Sequence, residues 1–418
     1  MIKSDDIVYW LALNDKRGVI PFYLLDYIVQ RYNSLKTFWY LTKKEIMEMG
    51  LSSRHTDIFI DYTNTVVLAK YRDMLNFIKK NDIKIIRYVD DEYPEILKIS
   101  RTATYEPPIL LFRKGCKLEL HKSVGIVGTR QPSKYALEKT RLFSIELASL
   151  NFTIVSGMAF GVDHEAHCGA LDVRRGKTIA VLPWMNPITP KAHEGLSQEI
   201  IRKGSFISET LFKPEKENVR YRYIQRNRIT SGLSNFVIAV ESRARVDKNS
   251  GGTMRQVDLA IAQKKQVYTL YPEPESEESI IEGFNLLIKK GVIPINNISD
   301  IPNLKQFKFP HRKTTRKLKE DPSSYKLIFG YDKDDALQKY MTRLKTTLNE
   351  ENITVIEIEG QEISGKLFTP RYFQLYDSEW EDQRPFCPRC GSNHIESRGH
   401  SWRCLECNRF FTKQKKLS

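Results

Sequence analysis

The chain has 418 residues, 41% of them hydrophobic, which supports a sizeable core spread over two or three domains. Its formal net charge of +15 points toward polyanions such as nucleic acid or an anionic membrane surface, with a merely solvated basic surface as the equal alternative. No apolar run reaches the roughly 18 residues a membrane-spanning helix needs, and Met1–Asp6 carries acids with no export-type apolar segment behind it. Six cysteines, four of them in one metal-like constellation, suit a reducing cytoplasm.

Residues 1–70 are rich in helix formers and aromatics, among them Tyr9, Trp10, Tyr23 and Tyr32, and the spacing of Leu24, Tyr27 and Ile28 is that of a buried helical stripe. Residues 71–122 form an extended lead-in with a strand expected at Ile83–Ile86. From 123 to 300 one event repeats: an apolar run of strand length stops at small or basic polar residues, and a helical pattern begins. Val124–Arg130 and Thr153–Gly161 are two instances, and Asn235–Val240 runs shortly afterwards into Asn249–Thr253. Such alternation predicts an α/β fold, a Rossmann-like doubly wound parallel sheet with its ligand site at the carboxyl ends of the strands. Exposed backbone N–H groups and helix N-termini there favour phosphates.

Each strand end then offers candidates for holding phosphate. Gly128, Thr129 and Arg130 close the first strand, and a guanidinium there can fork two hydrogen bonds to a phosphate whose other oxygens take backbone N–H groups. The helix opening at Pro132–Ser133 is expected to pack Leu142, Phe143, Leu147 and Leu150 on the sheet. Ser156 and Gly157 end the next strand, where a side chain at 157 is expected to block a phosphate, and Ala159 and Gly161 continue the turn. Asp163 and His167 share a face of the following helix; we read an acid near a helix start and a hydrogen-bonded histidine rather than a metal or acid–base pair. Tyr221 and Tyr223 precede Arg226, Asn227 and Arg228, a mixture of aromatics and cations that suits single-stranded nucleic acid. Ser250, Gly251, Gly252 and Thr253 open a helix as a nest of N–H groups. Lys177 and Lys134 are lesser candidates.

The spacing is not that of a dinucleotide enzyme. Gly125-Ile-Val-Gly128 lacks a third glycine, and no G-x-x-x-x-G-K-[ST] occurs. Gly128-Thr-Arg130, Ser156-Gly-Met-Ala-Phe-Gly-Val-Asp-His-Glu-Ala-His167, Ser208-Glu209, Arg226-Asn-Arg-Ile229 and Ser250-Gly-Gly-Thr253, in this order, resemble the DNA-processing protein A (DprA, or Smf) family. Tyr93-Pro94, Pro107–Phe112 and Tyr9–Leu13 resemble its lead-in segments. The resemblance implies a nonenzymatic single-stranded DNA binder and homodimer that loads a RecA-type recombinase in DNA uptake, transformation or recombination. In the family the N-terminal region is a small helical domain that sometimes carries a DNA-gripping hairpin; here Lys16–Pro21 lacks the G-x-G of such hairpins, which favours a packing or protein-contact module. The alternative comes from the wider superfamily: a nucleotide-derivative sensor or phosphoribohydrolase-like enzyme, similar to the cytokinin-activating enzymes with P-G-G-x-G-T and a following Glu. Ser-Gly-Gly-Thr-Met-Arg-Gln256 lacks that acid. Glu241 or Asp258 would have to carry such chemistry.

Residues 301–325 read as a basic linker and 326–382 as a small acidic strand–helix–strand module, with strands at Leu327–Phe329 and Ile353–Ile358 and a helix carrying Leu337, Tyr340, Met341, Leu344 and Leu348. From 383 to 418, Cys387-Pro-Arg-Cys390 and Cys404-Leu-Glu-Cys407, thirteen residues apart, form two knuckles whose four thiolates can converge tetrahedrally on a structural Zn²⁺. Four thiolates leave no open position for catalysis. This tail resembles a zinc ribbon. Eight basic residues against two acids between Gln383 and Ser418 favour nucleic acid as its partner over protein.

Overall fold

The computed structural model describes residues 4–15, 25, 28, 34–48, 53–100, 102, 106–214, 219–244 and 251–304, and beyond these the backbone of six strands. The chain forms two compact units, one of Ala69–Arg101 and Pro107–Pro310, the other of Met1–Leu68, Thr102–Glu106 and His311–Ser418.

At the amino end, helices α1 (Ser4–Asp15), α2 (Leu35–Trp39), α3 (Lys43–Glu48) and α4 (Ser53–Thr65) surround an aromatic core. Trp10, Phe38, Trp39 and Phe59 are buried, with the Phe38 and Phe59 ring centroids 4.9 Å apart. A buried carboxylate needs partners, and Asp6 accepts from Trp10 Nε1 at 3.0 Å, Ser34 Oγ at 2.7 Å and Lys36 N at 3.1 Å. Ser34 also caps α2, so one acid fastens α1 to the start of its neighbour. Ile28 of the expected stripe is buried; Leu24, Tyr27 and the Lys16–Pro21 hairpin lie outside the described residues.

The larger unit runs α5 (Leu68–Lys80), β1 (Lys84–Arg87), α6 (Glu95–Ile99), β2 (Leu110–Gly115), β3 (Ser123–Val127), α7 (Lys134–Ser149), β4 (Thr153–Ser156), α8 (Val162–Asp172), β5 (Lys177–Val181), α9 (Glu194–Lys203), β6 (Ser205–Ser208), α10 (Val219–Gly232), β7 (Phe236–Ala239), α11 (Gly252–Ala262), β8 (Gln266–Leu270), α12 (Glu278–Lys289) and β9 (Ile293–Ile295). One nine-stranded sheet results, in the order β1-β2-β6-β5-β4-β3-β7-β8-β9. From β6 to β9 every pairing is parallel; β1 and β2 add an antiparallel edge. The sheet is therefore mixed rather than wholly parallel. The edge comes from the stretch read as lead-in: Leu110–Phe112 are buried and pair antiparallel with Ile85–Arg87 of β1, and Phe112–Gly115 pair antiparallel with Ser205–Ser208 of β6.

Strands buried on both faces read as continuous apolar runs, and β3, β4 and β7 are buried throughout. Alternation then divides the core. Val124, Ile126, Phe236 and Ile238 face one layer with Phe143 and Leu147 of α7 and Val162 and Ala166 of α8. Val127, Val237 and Ala239 face the other with Met254, Val257 and Ala260 of α11 and Leu287 of α12. Leu142, expected on the sheet, is instead exposed: Ala136, Thr140, Phe143 and Leu147 hold the inner face, and residue 142 falls about 100° away from 143 on a helix of 3.6 residues per turn.

Beyond the larger unit, β10 (Lys326–Gly330), β11 (Ile356–Glu357) and β12 (Arg371–Leu375) form an antiparallel sheet ordered β10-β12-β11. β12 was not expected. The helix expected over 337–348 and the expected linker from residue 305 onward lie outside the described residues, while Ile301 and Leu304, placed at the linker's start, are buried in the core of the larger unit. β13 (Ile395–Arg398), β14 (Ser401–Cys404) and β15 (Phe410–Thr412) form a second antiparallel sheet, and Cys404 ends its middle strand. Cys387, Cys390 and Cys407 lie outside the described residues. Among the described residues no helix is long and apolar enough to cross a membrane.

Candidate nucleic-acid interface

The strand order reverses between β3 and β7, and open α/β sheets bind their ligands outside the carboxyl ends at such a point. Backbone bonds lock the loops there. Thr129 N donates to Glu241 O at 2.9 Å, and Val162 N donates to Thr129 O at 3.3 Å. Gly128 owes its place to packing: a Cβ would sit 2.6 Å from Val162, so a side chain would push α8 off the sheet. Gly161 has φ +76°, and its Cβ would stand 2.6 Å from Thr129 O. The buried Glu241 carboxylate accepts from Ser133 N at 3.2 Å and Ser133 Oγ at 2.7 Å, while Ser133 Oγ accepts from Ala136 N at 3.1 Å. Glu241 is thus spent on fixing the α7 cap. Asp258 lies elsewhere, paired with Lys290 at 2.6 Å on the surface.

Arg130 is exposed, its guanidinium 5.6 Å from the centroid of the Tyr223 ring. Tyr223 meets Trp184 edge to face, centroids 5.5 Å apart, and Lys213 Nζ stands 5.8 Å from the Trp184 ring. Cation, two aromatics and a second cation therefore follow one another at the carboxyl side of β3, β5 and β6. Phe160 and Tyr221 are each 49% exposed. Sequence reasoning missed Trp184 and Lys213. Leu182-Pro-Trp184 follows β5 directly, so the same strand-end rule carried one strand further would have found Trp184.

Gly157 also has a different role from the one expected. Its missing Cβ would lie 1.4 Å from Arg226 Nη1, so the space it leaves is filled by the protein's own guanidinium rather than by a phosphate. Arg226 is buried and faces the buried Asp163 at 3.8 Å, an ion-pair distance too long for a hydrogen bond. Burial pushes the Asp163 carboxyl up against the opposing pull of Arg226 and of Ala159 N–H, which donates to it at 3.3 Å. Arg226 Nε is buried without a hydrogen-bond partner among the described residues. Arg228 is buried as well, its Nη2 2.5 Å from Glu209 Oε2 and its Nη1 donating to Gln225 O at 2.9 Å.

Other candidates spread out. Asn227 O accepts from Gln256 Nε2 at 2.9 Å and ties α10 to α11. Ser156 Oγ donates to Ile126 O at 2.6 Å within the sheet. His167 Nδ1 lies 2.7 Å from Thr178 Oγ1, and burial pushes its pKa down to about 3, so it is neutral. Gly251 caps α11, a Cβ on Gly252 would meet open space, and Thr253 is buried; Ser250 lies outside the described residues. Lys177 begins β5, at the amino end of the strand, and pairs with Glu119 at 3.2 Å. The structure sets it apart from the carboxyl edge. Lys134, in the first turn of α7, is exposed beside Glu138.

The family model described as DNA recombination-mediator protein A matches residues 84–306, more than half of the chain. Protein Smf of Synechocystis sp. is 28% identical over 70% of this chain and 74% of its own length, and Protein Smf of Escherichia coli is 31% identical over 63% and 66%. The solved structure of DNA processing protein A (DprA) from Streptococcus pneumoniae superimposes with a TM-score of 0.57 at 25% identity, covering 72% of this chain and 98% of that one. With the sheet, its switch point and the ordered strand-end motifs in agreement, the chain belongs to the DNA recombination-mediator protein A family of DNA-processing proteins.

Proposed function

We propose that this chain binds single-stranded DNA along the carboxyl edge of its sheet and passes it to a RecA-type recombinase, without catalysing a reaction itself. The observation that carries the reading is Arg130, an exposed guanidinium at the switch point, steadied over Tyr223 and without an ion-pair partner among the described residues. A phosphate would take its two-pronged contact, and bases would stack on Phe160 and Tyr221, a division of labour suited to single strands. Arg226 and Arg228 act beneath this surface, shaping α10 through Asp163 and Glu209. Gly251, Gly252 and Thr253 supply backbone donors at the start of α11. Against the hydrolase alternative, both acids it would need are engaged elsewhere, Glu241 in a helix cap and Asp258 in a surface pair. The protein would work as a homodimer in the cytoplasm.

The tail adds a structural zinc held by Cys387, Cys390, Cys404 and Cys407. The spacing of the knuckles and the antiparallel strands β13–β15 support a ribbon, and about 35 residues bury too little apolar surface to fold without the metal.

Anisotropy of labelled oligo-dT, titrated against salt, tests the first reading. Arg130→Ala weakens binding at least about tenfold and lowers the salt slope by about 1, with melting unchanged. A folded variant of undiminished affinity removes Arg130 from the interface. For the tail, Cys387→Ser with Cys390→Ser costs one zinc per chain and leaves the main melting transition nearly unchanged; wild-type protein without zinc rejects the ribbon.

A further inference from the structure

Beside the carboxyl edge, α8 carries a cluster that the DNA reading does not use. His164, Glu165 and Cys168 bring one potential donor atom each to within 4.8 Å of one another. His164 Nδ1 lies 3.2 Å from Glu165 Oε1 and 3.7 Å from Cys168 Sγ. Donors held at zinc–nitrogen, zinc–oxygen and zinc–sulfur bond lengths around a tetrahedral ion stand about 3.3–3.7 Å apart, so these two edges already have the required size. The residues at 164 and 168 are one helical turn apart, which keeps both on one face.

A second, independent feature points to the same place. The short turn Lys191–His193 brings the His193 ring against that of His164, centroids 4.6 Å apart. His193 is 6% exposed; its ring is hydrogen-bonded to the Met158 backbone, and its Nδ1 is buried without a hydrogen-bond partner among the described residues. An imidazole nitrogen left unsatisfied in a buried position is costly, and a cation bound by its neighbour would satisfy it.

We propose that His164, Glu165 and Cys168 bind a transition-metal ion of the zinc class, with His193, whose ring meets that of His164, closing in as the fourth ligand. One thiolate, two imidazoles and a carboxylate oxygen are a donor set of intermediate softness, suited to zinc and its neighbours rather than to calcium or magnesium. The Cys168 thiol gives its proton to solvent as the metal–sulfur bond forms. Glu165 contributes Oε1 while Oε2 keeps Arg141 Nη1 at 3.1 Å, an outer contact that fixes the carboxylate's orientation. The His164 side chain is 34% exposed, which leaves the ion a way in. Bound metal would clamp α8 to the 191–193 turn. Phe160 packs on His193 with ring centroids 4.7 Å apart, so the clamp would also steady an exposed ring on the DNA-facing loop.

The test is zinc stoichiometry of the full-length chain after titration and dialysis, read beside far-UV circular dichroism and melting. Two zinc ions per chain are expected in the wild type and one in the Cys387→Ser, Cys390→Ser variant. That remaining ion is lost when His164→Ala or Cys168→Ser is added. Cobalt(II) added to the tail variant should give a thiolate-to-cobalt charge-transfer band that disappears with Cys168→Ser. A tail variant without bound metal overturns the site, as does metal indifferent to both His164→Ala and Cys168→Ser. Zinc that survives the tail substitutions at full stoichiometry but falls with Cys168→Ser would instead uphold this site and reject the ribbon. None of these outcomes depends on whether the chain binds DNA.

Discussion

Two neighbouring strand ends of one sheet place their arginines in opposite settings. After β3, Arg130 stands in solvent over the Tyr223 ring. After β4, the space above Gly157 is occupied by Arg226, buried against Asp163, and two residues along α10 Arg228 is buried against Glu209. Arg130 ends a strand while Arg226 and Arg228 reach the same edge from α10, and of the three only Arg130 is exposed to meet a ligand. Burial decides the role. A guanidinium taken out of water with a carboxylate shapes the fold, whereas one left in water keeps its donors for a phosphate.

The sharpest way to break this comparison is to remove an inward arginine. Arg228→Ala leaves Glu209 buried without its 2.5 Å partner, and breaking a buried pair from one side costs about 3–5 kcal/mol. Urea denaturation should show that loss, and the double change Arg228→Met with Glu209→Gln should recover part of it. A variant of unaltered stability but weakened oligo-dT binding would move Arg228 from the scaffold to the interface. Gly157→Ala tests the second inward arginine. The added methyl falls on the Arg226 guanidinium, and overpacking of this kind costs about 1–3 kcal/mol. Should the variant melt like the wild type, Arg226 does not need that space.

Much of this arrangement is visible in the sequence, and the part that is not has a physical reason. The runs Val124–Val127, Thr153–Ser156 and Phe236–Ala239 announce buried parallel strands because both faces of each must be apolar. The glycines at 128, 157 and 161 announce close approach. What approaches them is not local information: Val162 against Gly128, Arg226 against Gly157 and the Thr129 carbonyl against Gly161 depend on how the chain returns. Asp163 and Arg226 lie 63 positions apart, and no periodicity links them. The i, i+4 spacing of Asp163 and His167 suggested a shared face, yet their partners, Arg226 and Thr178, separate them. The antiparallel edge escaped for the same reason, since β2 pairs with a strand more than 90 residues later.

His167 sharpens the comparison from the neutral side. Burial first, then the nearby His164, His193 and Arg226, hold its pKa down to about 3, against about 6.5 in an unfolded chain. Between these values the unfolded state binds the extra proton. The contribution to stability is therefore fully present above about pH 6.5 and is lost as pH falls from there toward about 3. Replacing His167 with Gln should flatten that part of the stability–pH curve, measured by urea midpoints between pH 4 and 7 at matched ionic strength. Asp163, whose carboxyl burial pushes up, acts in the opposite sense and stays in both proteins. An unchanged slope would mean that His167 is accessible to protons in the folded chain.

The smallest effect is expected at the other edge of the sheet, and it decides whether position or charge alone governs binding. Lys177 opens β5 at the amino end, carries the same charge as Arg130, and pairs with Glu119 at 3.2 Å. An exposed pair of this kind contributes about 0–1 kcal/mol to stability. Lys177→Ala should therefore change oligo-dT affinity by less than about twofold at physiological salt, since only the diffuse field of one charge is lost. Lys213→Ala, on the carboxyl side over Trp184, removes the same charge together with a cation–aromatic contact of about 0.5–1 kcal/mol, and should weaken binding measurably more. Equal losses for Lys177→Ala, Lys213→Ala and Arg130→Ala would show that DNA responds to net charge, and the carboxyl edge would lose its claim to be the binding surface.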